Sequence, residues 1–172
     1  MGPEAFGALD DRLTTALALA RRRASRDGHG QLDTAHLLHS LLESDREVWD
    51  FVGDDGPYRV GRLLGYLVQR SIGYGMRWQG TVEDSGSGPQ IADTGEVADL
   101  TGGSGSRGRQ PRWSPVATAA MERALHRARA RRSPRVSCVD LFAALVADGE
   151  CRAVEVLRRT GVDTDALAAR LA

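Results

Sequence analysis

An all-α fold is predicted from three features of this 172-residue chain. Two similar segments, HGQLDTAHLLHSLLESD at 29–45 and SPRVSCVDLFAALVADG at 133–149, lie 104 residues apart without a gap. Leu and Ala recur at helical spacing in both copies, and the alternation of β-branched residues that marks strands is scarce. Because units of about 60 residues bury too little surface to be stable alone, the two repeats are expected to pack together as one bundle.

The first repeat, residues 9–70, is predicted to form four helices. Its first helix places Leu13, Leu17 and Ala20 on one apolar face. Asp33 or Thr34 can cap the second helix, whose leucines again share a face. The helices are expected near residues 9–25, 34–44, 46–52 and 60–69.

Residues 71–112 are predicted to be a long, partly disordered linker between the repeats. Ten of these 42 residues are Gly, and such a composition cannot offset the entropy of ordering the chain. Within the linker, Tyr74, Met76 and Trp78 are spaced by two, which indicates an extended arm over residues 72–82 that packs on the helical body.

The second repeat, residues 113–172, has the same order of elements. Ser114 can cap its first helix, and Pro115 suits the first helical position. Ser137 and Asp140 have the spacing of a capping box, and Gly161 is a stop signal. Helices are expected near residues 115–131, 139–148, 152–159 and 163–169.

Composition excludes several function classes. All 23 basic residues are Arg and the net charge is zero, so the chain lacks the Lys of a phosphate-binding P-loop and of Schiff-base chemistry. No nucleophile elbow is present, and Cys138 and Cys151 belong to no metal or redox motif. We therefore predict no enzyme activity and no cofactor, and, since no leader or membrane span is visible, a cytoplasmic location.

Three histidines are candidate metal ligands. His36 and His39 are three residues apart on one predicted helix, and His29 lies on the preceding loop. Zinc needs further ligands in fixed geometry, and no Cys lies near in sequence. We predict no metal site.

The repeats resemble the N-terminal repeat domain of the Clp unfoldase ATPases. The segment LDTAHLLHSL at 32–41 is similar to the family's I-G-T-E-H-L-L-L-A-L, and VSCVDLFAAL at 136–145 is a weaker copy. WSPVA at 113–117 matches the family's F-T-x-x-A opening, which in the first repeat is LDDRL at 9–13. The resemblance implies a double Clp repeat domain over residues 6–172 that lacks the ATPase modules, as a stand-alone protein or a fragment of one.

Family membership would imply protein and peptide binding. The expected partners are Clp ATPase or protease components, adaptors, cyclic-peptide ligands and unfolded substrates, and the chain would be an accessory partner, adaptor or decoy in Clp-dependent proteolysis. By position, the resemblance assigns partner binding to Phe6, Leu9, Arg12, Trp113 and Ser114. Some members bind phosphoarginine through the Glu of their T-E-H triplet, and here Ala35 and Val139 stand at those positions.

An Arg-rich helical protein associated with nucleic acid is the alternative. Nine Arg and one acid, Glu122, lie between residues 107 and 135. Contacts of Arg with phosphates would bring steep salt dependence. The neutral net charge makes this the less favoured reading.

Overall fold

The computed structural model describes residues 8–27, 31–52, 56–71 and 111–172. Phe6, His29, and the 72–110 part of the predicted linker, including its arm at 72–82, lie outside these ranges.

Within the described ranges, eight helices and four two-residue strands alternate in two similar halves. The first half contains β1 (Ala8–Leu9), α1 (Asp11–Arg26), β2 (Gln31–Leu32), α2 (Thr34–Ser44), α3 (Glu47–Val52) and α4 (Gly56–Ser71). The second half contains β3 (Arg112–Trp113), α5 (Pro115–Ala130), β4 (Arg135–Val136), α6 (Cys138–Val146), α7 (Arg152–Arg159) and α8 (Thr164–Leu171). The all-α prediction is confirmed, and helix bounds agree within a few residues, α4 starting four residues earlier than expected.

Matched caps start the corresponding helices. Asp10 caps α1 and Ser114 caps α5, each accepting a hydrogen bond from the backbone three residues later. Asp33 with His36 forms a capping box at α2, and Ser137 with Asp140 forms one at α6. These side chains satisfy orphan amides of the first helical turn, so both halves begin their helices at the same relative positions.

Two short parallel strand pairs join the halves. β1 pairs with β4, with Leu9 opposite Val136, and β2 pairs with β3, with Leu32 opposite Trp113. Adding 104 to 9 gives 113, and adding 104 to 32 gives 136, so exchanging the halves converts one pair into the other. The pairing therefore has the pattern of a pseudo-twofold axis. The sequence did not predict these strands, because two residues are too few to show a period.

Helices also cross between the halves. α2 packs on α7 and α6 on α3, while α4 packs on α7 and α8 on α3. Arg170 of α8 reaches the end of α3, where it donates hydrogen bonds to the carbonyls of Asp50 at 2.7 Å and Phe51 at 3.1 Å. Such a cation satisfies carbonyls that the end of a helix leaves unpaired.

One core runs through both halves. Leu37, Leu41, Leu141 and Leu145 are all almost completely buried, as predicted. Ala is frequent among the buried residues of α1 and α5, which pack on α2 and α6. Cys138 and Cys151 are both buried, and they form no disulfide with each other. No described helix is long and apolar enough to cross a bilayer.

Candidate functional site

Arg12 lies on the first turn of α1 with an exposed side chain. Its Nη1 donates a hydrogen bond to Oδ1 of Asp45 at 2.8 Å, and Glu47 lies 3.8 Å away. Asp45 itself is 4% exposed and also accepts from the backbone N–H of Glu47. Arg12 is thus held by carboxylates of the first half, and its exposed edge remains open to solvent.

Cys138, the first residue of α6, lies next to this ion pair. Burial and the nearby carboxylates of Asp10 and Asp45 raise the pKa of its thiol. Because the thiolate is the reactive form, Cys138 is an inert buried residue at neutral pH. At this place the chain therefore exposes the cation of Arg12, and the neighbouring thiol of Cys138 is not a nucleophile.

Trp113, the counterpart of Leu9 at the offset of 104, lies in β3 just before α5. It is half-buried against the core, and its indole Nε1 is enclosed without a hydrogen-bond acceptor among the described residues. Ser114 is completely buried, and its hydroxyl accepts from the N–H of Ala117 at 3.0 Å. Its side chain therefore presents no surface in this arrangement, and its assignment as a contact residue stays a prediction.

Leu9 lies in β1, half-buried beside β4. Phe6 lies outside the described residues. Of the five predicted contact residues, the structure thus leaves Leu9, Arg12 and Trp113 with some exposed surface. Leu9 and Trp113 occupy equivalent positions of the two strand pairs, so they are related by the pseudo-twofold pattern.

The position of Ala35 is closed by contacts between the halves. Ala35 is 5% exposed. Just before it, Asp33 Oδ2 accepts a hydrogen bond from Nη1 of Arg152 at 2.6 Å, and Thr34 Oγ1 accepts from the N–H of Ala153 at 3.1 Å. The carboxylate nearest to Ala35 is therefore already paired with a guanidinium of the same chain.

The charge of Asp33 is stabilised despite its burial. Burial alone would raise the pKa of this carboxyl, but its hydrogen bonds with His36 and Arg152 outweigh that effect and hold the pKa below its usual range. Asp33 is consequently ionised at neutral pH and tied to both the α2 cap and the second half.

Val139 is the half-buried counterpart of Ala35 in the second half. Its neighbour Asp140 is completely buried and accepts from Nη2 of Arg131 at 2.5 Å, with Arg127 Nε at 3.7 Å. Again the available carboxylate is engaged within the chain. Beside both Ala35 and Val139, the neighbouring carboxylate of the described chain, Asp33 or Asp140, is engaged by arginine.

His39 belongs to a buried polar cluster that the sequence did not reveal. It is 3% exposed, and its Nε2 lies 3.3 Å from Oε1 of Glu43, which also pairs with Arg23. Burial and the charge of Arg23 lower the pKa of His39 to about 4.

Across the described ranges no three His, Cys, Asp or Glu are placed to hold a metal.

Two solved structures resemble the chain over nearly its whole length. One is the N-terminal domain of the caseinolytic-protease-associated chaperone ClpD from Arabidopsis thaliana, at 17% identity and a TM-score of 0.59, covering 99% of this chain and 96% of that one. This chain has the Clp N-terminal domain fold. A structure from a malarial protein secretion system matches at 18% identity and a TM-score of 0.59, covering 96% and 92% of the two chains. No family model and no curated protein matches the sequence.

The functional pairings that the sequence missed are those made across the halves. Arg152 was predicted only as the first residue of a helix, and nothing local indicates that it meets Asp33, 119 residues earlier. The repeat is the signal that could have indicated this contact. In the structure the third helix of each half packs on the second helix of the other half.

Proposed function

We propose that this chain is a non-catalytic protein- or peptide-binding domain that acts as an accessory partner, adaptor or decoy in Clp-dependent proteolysis. The observation that carries the proposal is the Clp N-terminal domain fold over almost the whole chain at a TM-score of 0.59. The absence of Lys from the sequence supports a role without the ATP hydrolysis of a P-loop. The cytoplasm is the compartment in which we place it.

The proposed contact surface is formed by Leu9 and Trp113, with Phe6 added from the sequence and Arg12 at its edge. Partly buried aromatic side chains on a rigid helical body are typical anchors for a peptide. The enclosed indole N–H of Trp113 has no acceptor among the described residues, and a buried donor without a partner costs free energy. A partner that moves the ring and offers a carbonyl would regain part of that free energy.

A pull-down from the lysate of the native cell tests this function. The wild-type chain is expected to enrich Clp subunits, Clp adaptors or Clp substrates, and Trp113→Ala is expected to enrich fewer. Phe51→Ala in α3, another half-buried aromatic side chain packed on the core and not part of the proposed surface, is the matched control. Enrichment of none of these three classes by the wild-type chain would contradict the proposal.

Phosphoarginine recognition in the family manner is not part of the proposal. A guanidinium at Ala35 or Val139 would meet methyl groups, and loss of a desolvated charged partner costs about 2–5 kcal/mol. Arg12 on the phosphate side is paired with Asp45, and Val116 stands at the equivalent place in the second half. Each 1.4 kcal/mol is about tenfold in affinity, so a micromolar site would weaken to the millimolar range.

Calorimetry with free phosphoarginine measures this directly. We expect no binding tighter than about 1 mM. Val139→Glu, at a half-buried position, should strengthen binding, whereas Ala35→Glu would place a carboxylate where the side chain is almost completely enclosed. A wild-type dissociation constant below about 50 µM would show that other groups have replaced the missing carboxylates.

Nucleic-acid binding is disfavoured by the pairing of the arginines. Arg123 contacts Asp148 at 3.3 Å, and Arg127 and Arg131 both face the buried Asp140. Arginines engaged in this way are less available for phosphates. Retention of DNA or RNA at about 50 mM salt, lost steeply as salt rises, would favour this alternative.

A further inference from the structure

The outward face of α4 combines exposed apolar side chains with the positive charge of arginine. Tyr58 is 73% exposed and Val68 is 43% exposed, and among the described residues these are the large hydrophobic side chains left in solvent. The spacing of 58, 61, 65 and 68 places these four residues on one side of the helix. On the other side, Val60, Leu63 and Leu67 are buried and fix α4 to the core.

Gly61 and Gly65 lie between the two apolar side chains. A Cβ at either position would meet no atom within 4 Å, so no neighbour among the described residues requires a glycine there. A glycine inside a helix costs about 1 kcal/mol relative to Ala. The two glycines leave a flat strip that lets another backbone come close between Tyr58 and Val68.

The charge on this face has one sign. The sequence of α4 contains Arg residues and no acidic residue. Arg59 and Arg62 form no ion pair with any described residue, and Arg62 is exposed beside the flat strip. In α8, the counterpart of α4, the acidic residue Asp165 stands at the position equivalent to Gly61. This positive apolar face is therefore specific to the first half.

We propose that this face of α4, the α4 strip formed by Tyr58, Gly61, Arg62, Gly65 and Val68, binds an amphipathic helix with acidic flanks in a partner protein. The apolar side of such a helix covers Tyr58 and Val68, and its carboxylates pair with the guanidinium of Arg62, which no described carboxylate engages. A second copy of this chain fits less well, because two α4 helices would bring like charges together. Nucleic acid fits less well because the strip is largely apolar.

The test uses a fluorescent synthetic helical peptide of Leu, Ala and Glu in amphipathic order, and a matched peptide with Lys in place of Glu. We expect the wild-type chain to bind the Glu peptide and to bind the Lys peptide at least about tenfold more weakly, measured by anisotropy. Arg62→Glu and Gly65→Leu should each weaken binding of the Glu peptide by a similar factor. Gly65→Leu raises helix propensity, so its fold is expected to persist, and thermal melting verifies this.

The controls make comparable changes of charge and side-chain size on the exposed side of α1. Arg22→Glu and Ala18→Leu alter charge and bulk at exposed positions away from the α4 strip and should leave binding unchanged. Arg62→Glu and Gly65→Leu change no residue of the contact surface proposed around Trp113, so this test and the pull-down can fail independently. The proposal is overturned if both peptides bind equally, if Gly65→Leu binds normally, or if neither peptide binds.

The strip could instead be covered by a second copy of the chain or by another segment of the same chain. Each gives a distinct experimental result, and either result would overturn the proposal. A concentration-dependent dimer in sedimentation that Gly65→Leu abolishes would assign the strip to a second copy. The chain between residues 83 and 99 carries five acids and no base. If the Glu peptide binds only after these acids are changed to amides, the occupant is that segment of the chain itself.

Discussion

Replacing Arg152 by Met is expected to destabilise the protein by about 3–5 kcal/mol, because it removes one member of a buried ion pair and leaves the other charged. Asp33 is 4% exposed and Arg152 is 8% exposed, and their atoms are 2.6 Å apart. Met retains an unbranched apolar stem, so the change in packing is small compared with the loss of charge. The loss would be a large share of the 5–15 kcal/mol that usually stabilises a domain.

The matched variant Asp33→Asn removes the other charge and keeps the helix cap, since Asn caps a helix about as well as Asp. The double variant Asp33→Asn with Arg152→Met buries neither charge. It should therefore be more stable than the sum of the single changes predicts, by about 1–3 kcal/mol for residues in direct contact. Chemical denaturation of all four proteins, with unchanged slopes as the check on two-state behaviour, gives the coupling free energy.

Asp33→Asn also predicts a change in acid stability. The folded-state pKa of Asp33 lies below its unfolded value of 3.8, so its ionisation stabilises the fold above that pH. This contribution is lost as the pH falls through the folded-state pKa. The variant should lose less stability than the wild type on acidification below about pH 4. A cost under about 0.5 kcal/mol for Arg152→Met, or strictly additive single changes, would refute the reasoning.

Two further predictions concern the core and its pH dependence. Leu41→Ala and Leu145→Ala should each lower the free energy of unfolding by about 2–5 kcal/mol, whereas Val68→Ala at the surface should change it by less than about 0.5 kcal/mol; equal effects at all three positions would mean that the repeat faces are not the core. Burial lowers the pKa of His39 to about 4 from 6.5, so the unfolded state binds more protons between these values, and stability should fall by about 3 kcal/mol as the pH drops from 6.5 to 4. His39→Gln should flatten this part of the pH profile in denaturant titrations, and an unchanged profile would place the titration elsewhere.

The fold class was predictable because the helical spacing and the helix caps are local features of the sequence, and both occur in each repeat. Leu37 and Leu41 recur as Leu141 and Leu145 at a fixed offset, and the same offset separates the helix caps Asp10 and Ser114. Helical spacing and capping act within a few residues, so a sequence shows them directly. The repeat then required an apolar partner for each half, and the structure has one shared core.

The candidate site was less predictable. Ser114 was predicted both as a helix cap and as a contact residue; the structure shows the cap and the burial of the side chain, and the contact stays a prediction. The exposure of Leu9, Arg12 and Trp113 likewise depends on how the halves pack. Predictions for Phe6 and for the arm at 72–82 stay predictions.

The sequence by itself determined the helices, their order and the doubling, because these follow from spacing, capping and the need of each half to bury its apolar face. Only the tertiary structure decided which charges meet. The pairing of Asp33 with Arg152 spans 119 residues, and the exposure of Arg62 depends on what surrounds α4. Such contacts depend on distance and burial in three dimensions, and neither is encoded in a local pattern of residues.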